Sequence, residues 1–253
     1  MKRLGRGVAL VVHGGAWNIP VSGRKAAGVG CERAASAGLS VLSAGGSALD
    51  AVEAAVRELE NDPQFDAGTG SVLTSAGKVE QDAAIVDGET LDAGGVCSLG
   101  GFEHPVSIAR KVMESDHVLL AGPGADAFAQ EHGFSPAAPG SLVTAEAQAE
   151  FDRFREYGGV RDSLFNLSAE DAQSSRALDK PSDTVGAAAV DSEGRVAAAT
   201  STGGISLKLP GRVGDSPLLC SGVSPLLGTS WQRRETTLFA FASPRNETHE
   251  TLL

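Results

Sequence analysis

The chain has 253 residues, of which 42% are hydrophobic and 21% are charged, a composition that predicts one globular domain over 1–253. Its formal net charge of −11 excludes the concentrated basic surface that binding to nucleic acid or to an anionic membrane requires. Three cysteines without CxxC spacing predict neither a disulfide framework nor a thiolate metal site, and the apolar run at 8–12 is too short for a signal peptide. We therefore predict a cytoplasmic protein.

The N-terminal elements are predicted from apolar spacing and from capping residues. The run at 8–12 predicts a buried strand, and residues 23–42 carry apolar residues at helical spacing. Ser47, followed three residues later by Asp50, predicts the start of a second helix, because both side chains can satisfy free backbone amides there. Pro63 ends that helix.

The middle of the chain changes first to strands and then back to helices. Short apolar runs separated by glycine-containing turns predict consecutive antiparallel strands between 70 and 99. The pattern that follows predicts a helix at 105–113, a strand at 117–121 and helices near 125–132 and 145–157. Helices outside and strands between them predict a layered α/β sandwich.

A polar segment separates this region from a predicted hairpin. Residues 158–183 are weakly periodic and rich in Asp, Ser and Ala, which predicts a flexible linker. Two β-prone runs, 184–190 and 196–200, then flank a turn at 191–194. They predict an antiparallel pair of strands.

Thr184 is the first candidate for chemistry, because it stands where the polar linker meets the first strand of the hairpin. A threonine hydroxyl needs a base beside it, and an N-terminal threonine carries its own α-amine, which titrates near neutrality. An internal threonine acquires that amine if its hydroxyl attacks the preceding carbonyl and water hydrolyses the ester, which here cuts the Asp183–Thr184 bond. The alternative is that Thr184 is a β-branched residue that simply begins a strand.

Two further patterns lie downstream of the hairpin's turn. Thr202 ends a hydroxyl-rich strand and is followed by two glycines. It would lie beside Thr184 across the hairpin, although the same sequence also fits an ordinary turn. Arg212 and Asp215 share a glycine-containing loop. A guanidinium can bind an α-carboxylate through two hydrogen bonds while a carboxylate accepts from an α-ammonium, so the pair suits an amino-acid substrate. A surface ion pair is the alternative.

Several segments of the chain stand in a specific order and spacing: Val12 to Ala16 with Ile19 and Pro20, Gly46 to Val52, Asp66 to Leu73, Asp82 to Gly88, Asp183 to Ala187, Ala199 to Gly204, and Gly211 to Asp215. Together they resemble the plant-type asparaginase and isoaspartyl peptidase branch of the N-terminal-nucleophile hydrolases. The resemblance covers residues 8–219. It implies a four-layer αββα sandwich that cleaves itself before Thr184.

The resemblance also implies the roles of individual residues. Thr184 would be the nucleophile and, through its new amine, the base, and Thr202 would hydrogen-bond the nucleophile. The substrate's α-carboxylate and α-ammonium would be bound by the loop of Arg212, Val213, Gly214 and Asp215. His13 has no catalytic role in this family, and we expect it to be structural.

The implied reaction is hydrolysis of the side-chain amide of L-asparagine or of the isopeptide bond of β-aspartyl dipeptides, through a covalent ester on Thr184. No cofactor is needed for catalysis, and the resemblance allows a structural sodium ion on the backbone carbonyls of 59–65. The mature protein would be a homodimer of processed pairs, each with an α subunit (1–183) and a β subunit (184–253).

Two departures from the family pattern are visible. Asp66 stands where the family more often has an asparagine near the active site, which changes the local charge. Residues 220–253 form an atypical tail without the family's Thr-Gly-x-Gly-Glu motif, which predicts a truncated or frame-shifted C-terminus and an incomplete C-terminal part of the sandwich. The alternatives are a catalytically inactive relative, or the activity of a glycosylasparaginase or threonine aspartase, in which an aspartate also precedes the nucleophile.

Overall fold

A computed structural model of the chain describes residues 7–15, 21–156, 184–219, 221–223 and 238–242. The elements in chain order are β1 (Ala9–His13), α1 (Val21–Ser43), α2 (Ala48–Asn61), β2 (Gln81–Asp87), β3 (Ala93–Leu99), α3 (Pro105–Met113), β4 (Leu119–Ala121), α4 (Gly122–Glu131), α5 (Ala145–Glu156), β5 (Val185–Val190), β6 (Val196–Thr202) and β7 (Leu238–Ala242). Asp183, the linker at 158–183 and most of the tail at 220–253 lie outside the described residues.

The capping signal of the second helix is confirmed. Ser47 is the N-cap of α2, where its hydroxyl oxygen accepts from the Asp50 amide at 3.1 Å and its hydroxyl donates to the Asp50 carboxylate at 2.7 Å. The apolar stripe of α2, which includes Val52, Val56 and Leu59, is buried. This helix therefore begins and packs as its sequence predicts.

The strands form one seven-stranded mixed sheet in the order β4-β3-β2-β6-β5-β1-β7. All neighbours are antiparallel except β3 and β4, which are parallel. The predicted hairpin is confirmed as β5 and β6, which pair in register from Val185 opposite Ser201 to Val190 opposite Val196. This sheet flanked by helices confirms the predicted α/β class.

The two faces of the sheet bury different clusters. Ala83 and Ile85 of β2, with Ala199 of β6, pack against the helices in the main core. Their neighbours Ala84 and Val86 point to the opposite face and form a small second cluster with Ala198 and Val223. The second face is thus covered in part by the segment that follows β6. Small alanine side chains on both faces allow close approach of the layers.

Two details differ from the sequence-based expectations. The strand predicted at 117–121 is only Leu119–Ala121, and the first part of the predicted 70–99 strand region holds only an isolated bridge between Leu73 and Val79. Short pairing at a sheet edge depends on distant partners and leaves little local signal. Among the described residues there is one sheet, so the second sheet of the four-layer sandwich stays a prediction. In the same part of the chain, no helix is long and apolar enough to cross a membrane.

Candidate active site

The ends of β5, β6 and β2 bring three buried polar residues into one row. Val185 lies opposite Ser201 in the last pair of this ladder, and Thr184 and Thr202 are the next residues of the two segments beyond that pair. Thr202 in turn lies opposite Asp82 of β2. Directly opposed residues of antiparallel strands share a face, and this face is the one turned away from α1, α2 and α3. The side chains of Thr184, Thr202 and Asp82 are all buried.

The hydroxyl of Thr184 lies against a serine that sequence reasoning missed. Thr184 Oγ1 and Ser216 Oγ are 2.7 Å apart, and either atom can donate. The backbone carbonyl of Ser216 accepts a hydrogen bond from Thr200 Oγ1 at 2.8 Å, which fixes Ser216 over β6. The one available signal was the position of Ser216 directly after Asp215, in the loop already singled out.

Thr202 and Asp66 are held close together by backbone hydrogen bonds. Thr202 Oγ1 accepts from the Gly204 amide at 2.9 Å, and the Asp66 carbonyl accepts from the Gly203 amide at 2.9 Å. Asp66 Oδ1 accepts from the Val72 amide at 2.9 Å, and a Cβ atom at Gly203 would overlap that oxygen. Gly203 is therefore required by the close approach of Asp66, which places Asp66 beside the strand end that carries Thr202.

The loop of Arg212, Val213, Gly214 and Asp215 is fastened to the start of β2. The Gly211 amide donates to Glu80 Oε2 at 2.7 Å, and the Gly214 amide donates to Asp82 Oδ2 at 3.2 Å. Arg212 is half-buried, and Val213 and Asp215 are exposed.

Among the residues that the structure describes, neither Arg212 nor Asp215 forms an ion pair.

A buried lysine next to this row was also missed by sequence reasoning. Lys208 is 2% exposed, and its ammonium donates to the Glu80 carbonyl at 2.6 Å. Burial lowers the pKa of Lys208 below its usual value, although the nearby carboxylates of Asp82, Asp66 and Glu80 counteract that shift. A single lysine in a loop carries no periodic signal, so its burial could not be read from the sequence.

His13 is buried in β1, where its register partner on β5 is Gly186. Burial lowers the pKa of His13 to about 4, which keeps the imidazole neutral at physiological pH. Such a weakly basic ring is a poor proton acceptor, which agrees with the structural role expected for it.

A cavity of about 980 Å³ lies beside the candidate site. Its lining includes Glu80, Ser98 and Gly211, which lie at the same end of the sheet as Asp82 and the 211–215 loop. The opposite wall is formed by the loop at 137–145. The cavity lining includes none of Thr184, Thr202, Asp82, Arg212 and Asp215, so the cavity adjoins the loop at 211–215 through Gly211 and does not contain the candidate nucleophile.

No cluster of three metal-binding side chains occurs in the described ranges. The backbone carbonyls of Leu59, Glu60 and Asp62 each accept a backbone hydrogen bond, from Asp62, Thr69 and Phe65 respectively. A carbonyl oxygen has two lone pairs, so these atoms keep the capacity to contact a sodium ion. The structural sodium in the loop at 59–65 stays a prediction.

A protein-family model described as Asparaginase matches residues 6–224 of this chain. The chain belongs to this asparaginase family. Within the family, it is 42% identical over 217 residues to the isoaspartyl peptidase/L-asparaginase of Mus musculus, a match that covers 85% of this chain and 63% of the mouse protein. It is 47% identical over 223 residues to the plant-type L-asparaginase of Pyrococcus furiosus, with coverage of 85% and 69%.

The chain covers less than two thirds of the length of the mouse protein and of the rat isoaspartyl peptidase/L-asparaginase. The rat protein is 42% identical to this chain and is covered over 61% of its length. The matched region includes every predicted site residue from Asp66 to Asp215. The structure brings Thr184, Thr202 and Asp66 together and places the Arg212 to Asp215 loop at the same end of the sheet. Asp183 lies outside the described residues.

Proposed function

We propose that this chain is a self-cleaving threonine amidohydrolase that hydrolyses the side-chain amide of L-asparagine and isoaspartyl peptide bonds. The observation that carries the proposal is the position of Thr184. Thr184 is buried directly before β5, and its hydroxyl lies 2.7 Å from the Ser216 hydroxyl. Thr184 and Thr202 are the residues that follow the Val185–Ser201 pair at the end of the hairpin. The names of the relatives, isoaspartyl peptidase/L-asparaginase and plant-type L-asparaginase, agree with this class of substrate.

The first step would be self-cleavage. The Thr184 hydroxyl attacks the Asp183 carbonyl carbon, the peptide C–N bond breaks, and the nitrogen that remains on Thr184 takes a proton. Water then hydrolyses the new ester, which leaves a carboxylate on Asp183 and both a hydroxyl and an α-amine on Thr184. Because Thr184 is held by β5 and by its contact with Ser216, its hydroxyl has few alternative positions, which favours an intramolecular attack.

Turnover would use the amine as the general base. It accepts the proton of the Thr184 hydroxyl as the oxygen attacks the substrate's side-chain carbonyl carbon, and it returns the proton to the departing nitrogen. Ammonia leaves from asparagine, and an amino acid or peptide leaves from an isoaspartyl substrate. Water activated by the same amine then hydrolyses the β-aspartyl ester and releases aspartate.

The substrate's charged end would be held by the loop at 211–215. Arg212 can donate two parallel hydrogen bonds to the α-carboxylate, and Asp215 can accept from the α-ammonium. The absence of an ion pair to either residue among the described residues supports this role. The bonds from the Gly211 and Gly214 amides to Glu80 and Asp82 would keep the loop in place during turnover.

The assay for this proposal measures aspartate release from L-asparagine and from a β-aspartyl dipeptide. Arg212→Gln is expected to raise KM by roughly 100-fold, since a charge-assisted bidentate contact contributes about 3 kcal/mol. Arg57→Gln, which removes an exposed arginine of α2, is the matched control and should leave KM unchanged. Thr184→Ala should abolish the activity.

Release of aspartate from neither substrate by the wild-type chain would contradict the proposal. Activity on a glycosylated asparagine alone would instead favour the glycosylasparaginase alternative. A folded, inert wild-type protein would favour the inactive relative.

A homodimer of processed pairs and a cytoplasmic location belong to the same proposal. Cys31 and Cys97 are buried and unpaired, and burial raises the pKa of each thiol to about 12, so neither is a ready thiolate. Unpaired cysteines agree with a reducing compartment. Light scattering that gives twice the mass of one chain would support the dimer, and the mass of one chain would contradict it.

A further inference from the structure

The helix α5 docks on the turn after β6, which comprises residues 203–208. Ser206 of this turn donates its hydroxyl hydrogen to the Glu150 carboxylate of α5, although the two residues are 56 positions apart in sequence. Both residues are buried, Glu150 at 5% exposure and Ser206 at 7%. A hydroxyl that donates to a carboxylate forms one of the stronger hydrogen bonds in proteins, and burial protects this one from competing water.

Apolar packing joins the same helix to the same turn. Phe151, the residue after Glu150 in α5, forms a small buried cluster with Leu207 of the turn and with Leu73. The partly buried side chains that pack against this cluster are Val79, Val143 and Phe154. The cluster is separate from the main core, so the contact between α5 and the turn is a distinct packing unit of the fold.

The turn after β6 has a backbone conformation that needs support from its surroundings. Leu207 has a φ of 58°, a left-handed conformation that leucine rarely adopts, and Gly204 has a φ of 88°. The Leu207 amide donates to the Leu73 carbonyl at 2.8 Å, and the Lys208 carbonyl accepts from the Ser75 amide at 2.8 Å. A conformation of this kind persists only where several contacts fix it together. Backbone hydrogen bonds thus hold one side of the turn, and α5 holds its side chains.

This turn carries the hydrogen-bond donor that orients Thr202. The Gly204 amide donates to Thr202 Oγ1 at 2.9 Å. Thr202 and Thr184 are the residues that follow the last pair of the β5–β6 ladder. A shift of the turn would therefore move the group that fixes the Thr202 hydroxyl at the end of the hairpin that carries the candidate nucleophile.

The contact between α5 and the turn would join the two products of self-cleavage. Glu150 precedes the Asp183–Thr184 bond and Ser206 follows it, so the helix would belong to the fragment 1–183 and the turn to the fragment 184–253. The hydrogen bond and the apolar contacts do not require an intact bond between the fragments. They can therefore hold the turn in place during self-cleavage and afterwards during turnover.

We propose that α5 supports the turn after β6 and that Glu150 is a positioning residue, which holds this turn and, through it, the Thr202 hydroxyl in place. The inference rests on the proposed function for its effect on self-cleavage. The docking of α5 on the turn does not depend on that function.

The experiment is a double-mutant cycle of Glu150→Ala and Ser206→Ala. Self-cleavage rates are measured by intact mass, at a temperature at which circular dichroism shows every variant to be folded. Unfolding midpoints are measured in a Thr184→Ala background, so that every variant remains a single uncleaved chain. Glu150→Gln is the conservative variant, because its side-chain carbonyl can still accept from the Ser206 hydroxyl.

We expect Glu150→Ala and Ser206→Ala each to slow self-cleavage roughly 10-fold, since a displacement of a fraction of an ångström near the reacting group costs a factor of about this size. The double variant should be no slower than the slower single variant, because both changes remove the same contact. Glu150→Gln should stay within about threefold of the wild-type rate, because it keeps the hydrogen bond without its charge.

Two control variants separate positioning from a general loss of stability. Glu146→Ala removes an exposed carboxylate of the same helix and should change neither the rate nor the Tm. Val112→Ala removes buried methyl groups of α3 in the main core. It should lower the Tm by on the order of 5 °C, about as much as Glu150→Ala, and leave the rate unchanged because the chain is still folded at the assay temperature.

Wild-type cleavage rates in folded Glu150→Ala and Ser206→Ala would overturn the proposal, and so would additive effects of the two changes on the rate. Cleavage as slow in Val112→Ala as in Glu150→Ala would also overturn it, because the rate would then follow stability alone. A rate for Glu150→Gln as low as that for Glu150→Ala would contradict the role of the hydrogen bond.

Ser206→Ala decides the question by itself if Glu150→Ala does not fold. Slower cleavage in folded Ser206→Ala then supports the proposal, and the wild-type rate contradicts it. A folded wild-type chain that never cleaves contradicts the proposed function and, with it, the positioning role. Normal cleavage in the variants contradicts the positioning role alone, so the two failures are distinguishable.

Discussion

The Thr184 hydroxyl contacts Ser216 Oγ, and the Ser216 carbonyl accepts a hydrogen bond from the Thr200 hydroxyl. A hydroxyl in such a hydrogen-bonded group is oriented by its neighbours, since each hydroxyl hydrogen rotates toward an available acceptor. Ser216 can therefore direct a lone pair of Thr184 Oγ1 without itself acting as a base. The loop that carries Arg212 would thus contribute to the nucleophile as well as to the substrate contacts.

Replacement of Ser216 by alanine tests this orientation. We expect Ser216→Ala to slow self-cleavage about 10-fold, the factor that corresponds to one hydrogen bond of about 1.4 kcal/mol. Ser141→Ala removes an exposed hydroxyl that donates to the Ala138 carbonyl, and it should leave the rate unchanged. Equal rates for the wild type and Ser216→Ala, measured by intact mass over time, would show that the serine only fills space.

Burial of the His13 ring makes the free energy of unfolding depend on pH. Its pKa is lowered to about 4 in the fold, compared with about 6.5 in an unfolded chain. The folded state binds the proton more weakly, so the contribution of His13 to stability is complete above pH 6.5 and is lost as pH falls toward 4. Between pH 7 and pH 4.5 this amounts to about 2–3 kcal/mol of unfolding free energy.

Urea unfolding at the two pH values checks this expectation. His13→Gln should reduce the loss of stability on acidification by about 2–3 kcal/mol, because glutamine does not titrate. His132→Gln, at an exposed position on the C-cap of α4, is the control and should retain the wild-type loss. An identical acid-induced loss in His13→Gln would mean that other groups account for it.

At the scale of elements, the β5–β6 hairpin is joined to α2 by one carboxylate. Asp191 is buried, and its oxygens accept from the amides of Ala48, Glu193 and Arg195 and from the Arg195 guanidinium. Burial alone would raise the pKa of Asp191, but these hydrogen bonds lower it below its usual value. The carboxylate therefore closes the turn of the hairpin and satisfies the first turn of a helix 143 residues away in sequence.

Loss of this carboxylate should affect the whole fold. We expect Asp191→Ala to reduce the unfolding free energy by about 3 kcal/mol, since it breaks a buried network and leaves several donors unsatisfied. Glu193→Ala in the same turn changes an exposed carboxylate and should remain within about 0.5 kcal/mol of the wild type. Similar denaturation midpoints for the two variants would contradict the linking role of Asp191.

Elements with local signals were predictable from the sequence. Ser47 with Asp50 marked the start of α2, Pro105 marked that of α3, and the turn at 191–194 marked the hairpin, because each signal lies within a few residues of the structure that it controls. β4 was less predictable, since three residues at a sheet edge owe their conformation to β3.

Some residues of the candidate site were likewise predictable from local sequence, and others were not. Thr184, Thr202 and Arg212 were singled out as candidates because their neighbours in sequence matched a chemical requirement or a family pattern. Lys208 and Asp82 were missed because their significance arises from contacts between segments more than 100 residues apart, such as the 128-residue separation between Lys208 and Glu80. Such pairings follow from how strands and turns pack, which no local spacing specifies.

At the scale of the whole molecule, the sheet has two unlike faces. The face toward α1, α2 and α3 holds the main apolar core, and the other face holds the row of polar residues at one end of the small second cluster. The candidate chemistry therefore lies on the face turned away from α1, α2 and α3. The residues at 211–219 and 221–223 cover part of this face at the site, through Ser216, Gly214 and Val223.

Self-cleavage at the Asp183–Thr184 bond is the central claim of this account, because the proposed base does not exist until that bond is cut. Intact mass spectrometry of the purified protein after incubation at neutral pH, beside a Thr184→Ala control, tests it directly. We expect two fragments from the wild type, one that ends at Asp183 and one that begins at Thr184, and a single intact chain from the control. A wild-type chain that is folded and stays uncleaved would contradict the account.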